Sequence, residues 1–498
     1  MCKNFKLIYK YKGRILYMDK IQVLSTLNFG DVDSESDSNL EQKFIKTNDF
    51  DTLLNEKNIL TLGAKGSGKS ALFEMLTRYE KTSRKLSGKK LDNVIIVKGT
   101  GLKDLKELTT SDIESLMLKD GFDFQKVWEL YIAIKVAFKL GDEGYRSGEH
   151  LIEFLKKSGK IPDYRILPII RSLWGLIAGP SAKSIPIKFK DVEIMIGDNS
   201  REIDVQDILE EINNLLIEED KVVWILFDKI DELFSDRPET RKKALEGLFR
   251  TYLALKPRYP QIKFKIFLRT DLWTTLSFVN KSHLADKILE IRWDAPQLLE
   301  LMVKRACVNT EIKRYICNKL QMKEEDIIKN KNYENIFYSL FDKQVYKGKK
   351  EAKVLDWMTE RVKDGQGGMY PREMITFGNI SKNKQLEKCI ISGDCLISGS
   401  SIKEAYYIVS KIKCETYLSE FPHLEKHFER FQGKDSAKFT RKELSSLLKG
   451  LNPSKDEAIK ELYEAGILLP KGNIANASSF EIPRLFRSGL GLTLRGRP

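Results

Sequence analysis

Short apolar runs alternate with helix-like periodicity through the first part of the chain. The runs predict strands at 58–62, 94–98, 222–227, 263–268 and 288–293. In the segments between them, apolar residues recur at the three- and four-residue spacing of a helix. Strands that alternate with helices predict a parallel sheet flanked by helices, so we expect an α/β fold.

One of these runs has no polar residue in its interior. From Val222 to Phe227 every residue is apolar. A strand with one face in water alternates apolar and polar residues, whereas a strand buried on both faces does not. The run therefore predicts a strand in the middle of the parallel sheet.

Beyond Trp293 the pattern becomes helical. Asp294 predicts the cap of a first helix. A glycine-rich turn at 365–368 then leads to Pro371, which is typical of the first position of another helix. We expect the region 294–400 to form a helical lid.

The carboxy-terminal region predicts a separate small unit. Two residue pairs, Thr440 with Glu443 and Ser454 with Glu457, have the spacing of capping boxes, and each predicts a short helix. An apolar run, a turn and a second extended piece follow. Helix, helix, hairpin is the order of a winged helix, and also of a generic small α+β cap. We expect a helical and winged-helix-like domain at 401–498.

Composition narrows the class of protein. Hydrophobic residues make up 42% of the 498 residues and charged residues 31%, which fits a globular chain and argues against a disordered one. Because no window reaches the roughly 18 consecutive apolar residues of a membrane span, we expect no membrane association. The scattered lysines of residues 1–24 predict an amino-terminal extension and not a signal peptide.

Charge and cysteine content bear on partners and compartment. The net charge of +14 is compatible with a polyanionic partner such as nucleic acid, although much of it is lysine mixed with glutamate. The six cysteines include no C-x-x-C pair, which favours reduced thiols and a cytoplasmic location.

A phosphate-binding loop is predicted between the first strand of the sheet and the next helix. It reads Gly63-Ala64-Lys65-Gly66-Ser67-Gly68-Lys69-Ser70, followed by Ala71, and matches G-x-x-x-x-G-K-S in full. Such glycines let consecutive N–H groups face a β-phosphate, and the helix adds its positive end. Lys69 would reach the β- and γ-phosphates, and the Ser70 hydroxyl would bind Mg²⁺. We expect ATP in the first place, with GTP left open, together with Mg²⁺.

Two later strands end in polar residues. Asp228 follows the fully apolar strand, where a carboxylate would hold Mg²⁺ through water. The next strand ends in Arg269, Thr270 and Asp271, and its polar tip is expected between the other two strands. These side chains would sense the γ-phosphate or position water. A Thr or Asp that caps the following helix is the alternative for either Thr270 or Asp271.

This order of motifs resembles the AAA+ and STAND ATPases of the ASCE group. The resemblance extends over roughly residues 25–498. The chain is similar in particular to bacterial P-loop ATPases that are often encoded among antiviral defence genes, and more distantly to origin-recognition ATPases. It implies that Lys69 and Ser70 are the Walker A pair, that Asp228 is the Walker B aspartate, and that Thr270 is a sensor-1 residue.

The resemblance also implies a role for the start of the helix at Pro371. Arg372 matches the place of a sensor-2 arginine, which touches the γ-phosphate when the lid closes. An ordinary surface arginine in a first helical turn is the alternative.

One residue departs from the family pattern. Many relatives have an acid directly after the Walker B aspartate to orient the attacking water, and here that position is Lys229. A protonated lysine has no acceptor lone pair and cannot replace the acid. Asp231 and Glu232 are the nearest candidates for this catalytic role. If neither acts, hydrolysis is slow and the protein holds ATP as a switch.

The long separation between the two Walker motifs predicts an insertion. We expect an inserted helical subdomain near 102–217 within a core at 25–293. An apolar face at helical spacing predicts core packing in this insertion, not a base-stacking platform, and it consists of Trp128, Tyr131, Ile132, Ile134 and Phe138.

A zinc site at the histidines near residue 425 is a less favoured interpretation than ordinary surface histidines. His423 and His427 are four positions apart and Cys414 is near, but no fourth ligand or C-x-x-C accompanies them. We interpret them as ordinary histidines.

Three functions remain open from the sequence. The first is a regulatory ATPase of the AAA+ or STAND type that hydrolyses ATP slowly and signals to a partner effector or to copies of itself. The second is a DNA-dependent ATPase that acts directly on nucleic acid. The third is a nucleotide-binding scaffold without turnover. The acidic second helix of the carboxy-terminal unit favours protein docking over base reading by that unit.

Overall fold

The computed structural model describes residues 7–11, 14–99, 123–145, 188–189, 192–193, 205–230, 232, 234, 237–329, 332–391, 393–453 and 455–492. The chain divides into two compact units. The core unit contains 48–64 and 69–291, and the helical unit contains 1–47, 65–68 and 292–498. The four residues 65–68 at the tip of the phosphate-binding loop thus group with the helical unit.

The strands of the described residues are numbered in chain order. They are β1 (Leu7–Tyr11), β2 (Arg14–Met18), β3 (Leu60–Gly63), β4 (Val94–Gly99), β5 (Lys188–Phe189), β6 (Val192–Glu193), β7 (Val222–Phe227), β8 (Ile262–Arg269), β9 (Ile288–Glu290), β10 (Lys438–Thr440), β11 (Leu469–Pro470) and β12 (Ser479–Glu481).

The helices are numbered in the same way. In the first half they are α1 (Lys20–Thr26), α2 (Leu40–Lys43), α3 (Asn48–Leu53), α4 (Lys69–Thr77), α5 (Glu80–Ser87), α6 (Phe124–Asp142), α7 (Val205–Glu218), α8 (Pro238–Leu255) and α9 (Thr270–Thr275). In the second half they are α10 (Ala295–Ala306), α11 (Thr310–Leu320), α12 (Asp326–Lys329), α13 (Tyr333–Leu340), α14 (Val354–Val362), α15 (Pro371–Glu387), α16 (Gly399–Glu420), α17 (Glu425–Glu429), α18 (Arg441–Leu447), α19 (Lys455–Glu464) and α20 (Arg484–Arg487).

A five-stranded parallel sheet forms the centre of the core unit. Its strand order is β4-β7-β8-β3-β9, and every neighbouring pair is parallel. All five strands predicted from apolar runs are present, which confirms the α/β fold. Strand β8 lies between β3 and β7, as expected for the strand with the polar tip.

Burial explains why β7 carries no polar residue. All six of its side chains are buried, because β4 and β8 flank the strand and helices cover the sheet. Helix α6 packs here, with Trp128 against Phe227 and the indole N–H of Trp128 donating to the carbonyl of Ala244 over 2.8 Å. Trp128 and Tyr131 are fully buried, so the prediction of core packing is confirmed. Most of the insertion expected near 102–217 lies outside the described residues.

One hydrophobic core runs through the helical unit and includes the segment 19–47. Phe29 packs against Gly378 of α15, where a Cβ on the glycine would lie 2.7 Å from the ring. The side-chain amide of Asn379 accepts from the N–H of Phe29 and donates to the carbonyl of Gly30, both over 3.1 Å. These contacts explain why residues 25–47, expected in the ATPase core, group with the helices instead.

A buried ionic cluster fixes the same segment. Arg305 of α10 donates to the carboxylate of Asp37 over 3.1 Å, and Lys43 binds the other oxygen of that carboxylate. All three side chains are buried, and the attraction of the carboxylate to the two cations offsets part of the cost of removing these charges from water.

The carboxy-terminal part of the helical unit combines short helices with a small sheet. Strands β10, β12 and β11 form a three-stranded antiparallel sheet, in that order. Thr440 and Glu443 form the predicted capping box at the start of α18. Helix α19 begins at Lys455, and its expected cap Ser454 lies outside the described residues. The winged-helix identity of this part stays a prediction.

None of the helices in the described part of the chain has the length and apolar character needed to span a membrane.

Candidate functional site

The predicted phosphate-binding loop connects β3 to α4, so the strand and the helix are where the motif requires them. Gly66 and Gly68 have φ angles of +85° and +97°. Residues with a Cβ rarely adopt these values, because the side chain would collide with the backbone. Glycine at these two positions therefore lets the loop adopt two left-handed backbone conformations without strain.

Lys69 folds back over the loop that precedes it. Its ammonium donates to the carbonyls of Gly63 over 2.8 Å and of Ala64 over 3.0 Å. The positive charge is held beside the loop backbone, where the motif places the phosphates of a nucleotide.

A hydroxyl at the tip of the loop is available for a ligand. Ser67 is fully buried, and its Oγ has no hydrogen-bond partner among the described residues. Burial of a hydroxyl without a hydrogen-bond partner costs about 1–3 kcal/mol of stability, so buried hydroxyls are usually hydrogen-bonded to protein, water or a ligand. The tip therefore fits a phosphate chemically, since a phosphate oxygen would accept this hydrogen bond.

The two side chains predicted to hold Mg²⁺ lie on two elements of the core unit. Ser70 is the second residue of α4, and Asp228 directly follows β7 with its side chain 5% exposed. The described residues contain no cluster of three or more His, Cys, Asp or Glu that would bind a metal by itself. One hydroxyl and one carboxylate suit Mg²⁺, which commonly takes its other ligands from phosphates and water.

The chain turns sharply after Asp228. Lys229 has a left-handed backbone with φ of +58°, and the N–H of Glu232 donates to the carbonyl of Lys229 over 3.2 Å. Asp231 lies outside the described residues, and Glu232 is exposed. Their catalytic role stays a prediction.

The polar tip of β8 contains an ion pair that the sequence analysis missed. Arg269 donates from Nε and Nη2 to the two carboxylate oxygens of Asp271, over 3.0 and 2.7 Å. Arg269 stands opposite Gly63 in the register of β8 and β3. A guanidinium therefore lies on the strand next to the start of the phosphate-binding loop. The two-residue spacing of Arg269 and Asp271 was the available signal.

Neither Thr270 nor Asp271 caps the helix that follows. Helix α9 begins at Thr270, the capping position is Arg269, and no side chain makes a capping hydrogen bond there. The structure thus does not support the capping alternative, while a sensor role for Thr270 stays a prediction.

Within the helical unit, Arg372 lies against the tip of the loop. A Cβ added to Gly66 would come within 2.8 Å of Cβ and 3.2 Å of Cδ of Arg372. Nε of Arg372 is buried and has no hydrogen-bond partner in the described part of the chain. Pro371 is the first residue of α15, as predicted. Arg372, which follows it, packs against the loop and is therefore not an ordinary surface arginine.

Two further contacts hold the tip, and neither was predicted. The ammonium of Lys65 lies 2.9 Å from the carboxylate of Glu420, the last residue of α16. The indole N–H of Trp293 donates to the carbonyl of Ser67 over 2.8 Å. Three of the four tip residues are thus in contact with residues more than 220 positions away in the sequence.

A buried ion pair links α15 to α16 near these contacts. The ammonium of Lys413 binds the carboxylate of Glu373 over 2.7 Å, and both side chains are largely buried. Burial disfavours the charge on Lys413, but the carboxylates of Glu373, Glu420 and Asp364 outweigh it and raise the pKa of Lys413 above its usual value. The pair therefore keeps the two helices that carry Arg372 and Glu420 in fixed register.

The histidines considered for zinc are engaged elsewhere. Nε2 of His427 lies 2.7 Å from the carbonyl of Pro453, and His423 lies 3.2 Å from the carboxylate of Glu461. Cys414 is buried and its thiol faces the carbonyl of Phe486.

No family model matches the chain. Among curated proteins, the 80.3 kDa protein described for transposon gamma-delta of Escherichia coli (strain K12) is 25% identical over 291 residues. The match covers 56% of this chain and 39% of that protein, so the chain spans well under half of the relative's length.

Solved structures give weak similarities. The Aeropyrum pernix ORC2 protein (ADPNP-ADP complexes) has a TM-score of 0.34 at 10% identity, with 86% of each chain covered. The Aeropyrum pernix ORC1 protein in complex with DNA has a TM-score of 0.30 at 11% identity, covering 87% of this chain and 86% of that one. Cdc6p from Pyrobaculum aerophilum has a TM-score of 0.28 at 12% identity, with 87% of each chain covered. Similarity at this level assigns no ligand or partner to the chain.

Proposed function

We propose that the chain is a regulatory P-loop ATPase of the AAA+ or STAND type that binds ATP with Mg²⁺. The observation that carries this proposal is the loop from Gly63 to Ser70, with both left-handed glycines and the Lys69 ammonium folded over its backbone. No other ligand class accounts for a curled loop of N–H groups, a helix N-terminus and a lysine in this spacing.

Each group at the loop has a defined task in nucleotide binding. Lys69 exchanges its carbonyl partners for phosphate oxygens, and the Ser67 hydroxyl gains the acceptor it lacks. Ser70 and Asp228 hold Mg²⁺, which neutralises the charge on the phosphates. Charge-assisted hydrogen bonds of this kind are worth about 1.5–3 kcal/mol each, enough for firm binding of a triphosphate.

The tip of the loop also supports a switch. Lys65, Gly66 and Ser67 touch residues of the helical unit, so a nucleotide that rearranges the tip changes contacts of that unit. A ligand shifts a conformational equilibrium by its differential contacts in the two states. Arg372, with its buried and unpartnered Nε, is the group that we propose to sense the γ-phosphate.

Lys229 bears on the rate of ATP hydrolysis, because it stands where many ATPases of this type have the acid that orients water. The N–H of Glu232 donates to the carbonyl of Lys229, and we propose that Asp231 or Glu232 aligns water in place of Lys229. We propose slow hydrolysis, with the signal passed to a partner effector or to copies of the chain. A role in antiviral defence rests on the family resemblance alone.

Nucleotide binding is tested by titration of a fluorescent ATP analogue, with and without Mg²⁺. We expect Lys69→Ala to weaken binding about 10- to 100-fold, the loss of one charge-assisted contact. Lys81→Ala, which removes an exposed lysine of α5, is the matched control and keeps normal affinity. Equal affinities in Lys69→Ala and the unchanged protein rule out the proposal.

The alternative is a DNA-dependent ATPase, with which the net charge of +14 is compatible. Stimulation of phosphate release by DNA favours that alternative. Phosphate release without DNA that disappears in Asp231→Ala supports the regulatory ATPase. Bound nucleotide without turnover in either condition leaves the scaffold.

A further inference from the structure

A lysine-rich loop in the helical unit lies between α13 and α14. The segment 341–353, hereafter the lysine loop, has five lysines and two acidic residues. The lysines are Lys343, Lys347, Lys349, Lys350 and Lys353, and all five are exposed. Neither the phosphate-binding loop nor its contacts involve this segment.

Four of these ammonium groups have no ion-pair partner in the part of the chain that the structure describes. Lys353 pairs with Glu334 over 2.7 Å, and this partner raises the pKa of Lys353. Lys343, Lys347, Lys349 and Lys350 form no ion pair with any described residue. The acid Asp342 faces main-chain N–H groups, those of Lys343 at 2.8 Å and Gly399 at 3.4 Å. The loop therefore carries a concentrated positive charge.

The backbone of the lysine loop is held in one conformation. The amide of Gln344 donates to the carbonyls of Gly348 over 3.0 Å and Glu351 over 2.9 Å, which closes the loop from inside. Bridges of Phe341 with Ile397 and of Gln344 with Lys353 fix its two ends. Charges on an ordered loop lose less conformational freedom on binding than charges on a mobile tail.

The first turn of α16 adds to this positive surface. Gly399 packs so closely on the loop that a Cβ would lie 2.6 Å from the carbonyl oxygen of Gln344. Lys403 follows one turn further along α16, and its ammonium lies 5.1 Å from the ring centroid of Tyr346. The amino-terminal end of a 22-residue helix carries a partial positive charge, which reinforces the lysines beside it.

We propose that the lysine loop, with Lys403, binds the phosphate backbone of duplex DNA. Lysines without carboxylate partners, clustered on one ordered surface, are the electrostatic footprint of such contacts. An acidic protein fits less well, because protein interfaces are depleted in lysine and depend on aromatic or apolar anchors. The large hydrophobic side chains exposed in the described residues all lie outside 341–353.

The proposal is tested by the salt dependence of DNA binding. Anisotropy of a short fluorescein-labelled duplex is measured between about 50 and 200 mM salt, where each phosphate contact contributes a slope of about −0.9 in log K against log salt. The variant Lys347→Gln, Lys349→Gln, Lys350→Gln should bind more weakly, and its slope should be less negative by about 2 to 3.

A second triple variant controls for net charge. Lys57→Gln, Lys426→Gln, Lys434→Gln removes three exposed lysines from separate places and should keep the original slope within about 0.5. All six substitutions are at exposed positions, so unchanged melting temperatures are expected and verify folding. Equal losses in both variants, or no loss in the first, overturn the proposal. The assay omits nucleotide, so its outcome is independent of whether the chain binds ATP.

Discussion

The carboxylate of Glu420 lies 2.9 Å from the ammonium of Lys65, and this pair joins the end of α16 to the tip of the phosphate-binding loop. Lys65 is 41% exposed and Glu420 10%, so water screens the pair from one side only. Lys65 is at one of the four variable positions of the G-x-x-x-x-G-K-S motif, and the pair engages its charge. A lysine held by a carboxylate contributes less positive charge to an incoming triphosphate.

We therefore expect Glu420→Gln to tighten ATP binding. The partly exposed pair is worth at most about 1 kcal/mol, which corresponds to a gain of about twofold to fivefold in affinity. Isothermal titration with ATP and Mg²⁺ measures it. Glu415→Gln, an exposed acid on the same helix, should leave affinity unchanged. Weaker binding in Glu420→Gln would show that the pair supports the loop instead of restraining it.

Gly66→Ala should lower the affinity for nucleotide more than Gly68→Ala does. Both substitutions force a Cβ onto a left-handed backbone, at a cost of about 1–2 kcal/mol. Only the Cβ at Gly66 also meets Arg372, at 2.8 Å, whereas at Gly68 the nearest atom is Cζ2 of Trp293 at 3.8 Å. Titration with a fluorescent ATP analogue compares the two. Equal affinities would mean that Arg372 moves away at no cost.

Asp228→Asn should remove the magnesium dependence of nucleotide binding. The amide keeps the shape of the side chain but loses the negative charge that attracts the ion. Affinity without Mg²⁺ should stay near normal, because Lys69 and the loop backbone are unchanged. Glu239→Gln changes an exposed acid in the first turn of α8 and serves as the control. A full magnesium effect in Asp228→Asn would place the metal ligand elsewhere.

Lys265→Met should destabilise the core unit by about 3 kcal/mol or more. Lys265 is fully buried in β8, and its ammonium donates to the carbonyls of Leu53, Asn55 and Asn58, each over 2.7 Å. Loss of these donors leaves buried carbonyls without partners, each at about 1–3 kcal/mol. Urea unfolding measures the change. Lys263→Met, a partly exposed position on the same strand, should cost less than about 1 kcal/mol.

The same lysine predicts a pH dependence of stability. Burial lowers the pKa of Lys265 to about 7, from an ordinary value of 10.5. Between these two values the unfolded chain binds more protons than the folded one, so the free energy of unfolding should rise with pH from about 7 to 10.5. Urea unfolding across this range should show a steeper rise in the unchanged protein than in Lys265→Met. Coinciding profiles would mean that the hydrogen bonds to the three carbonyls keep the Lys265 ammonium protonated in the folded chain across this range.

Much of the core unit follows from local sequence. Apolar runs predict all five strands of the sheet, and the run without any polar residue predicts the strand that is buried on both faces. Gly66 and Gly68 mark left-handed positions because only glycine adopts them without strain. Asp294 and the pair Thr440–Glu443 cap their helices as predicted, because a cap depends on residues three positions apart.

Tertiary structure alone decided what surrounds the tip of the phosphate-binding loop. Lys65 meets Glu420 and Gly66 meets Arg372 across more than 300 positions of chain, and no periodicity or capping rule acts over such a separation. The segment 19–47 likewise joins the helical unit through Phe29 and Asn379. Local patterns are set by backbone geometry within a few residues, whereas these contacts depend on which surfaces pack together once the elements exist.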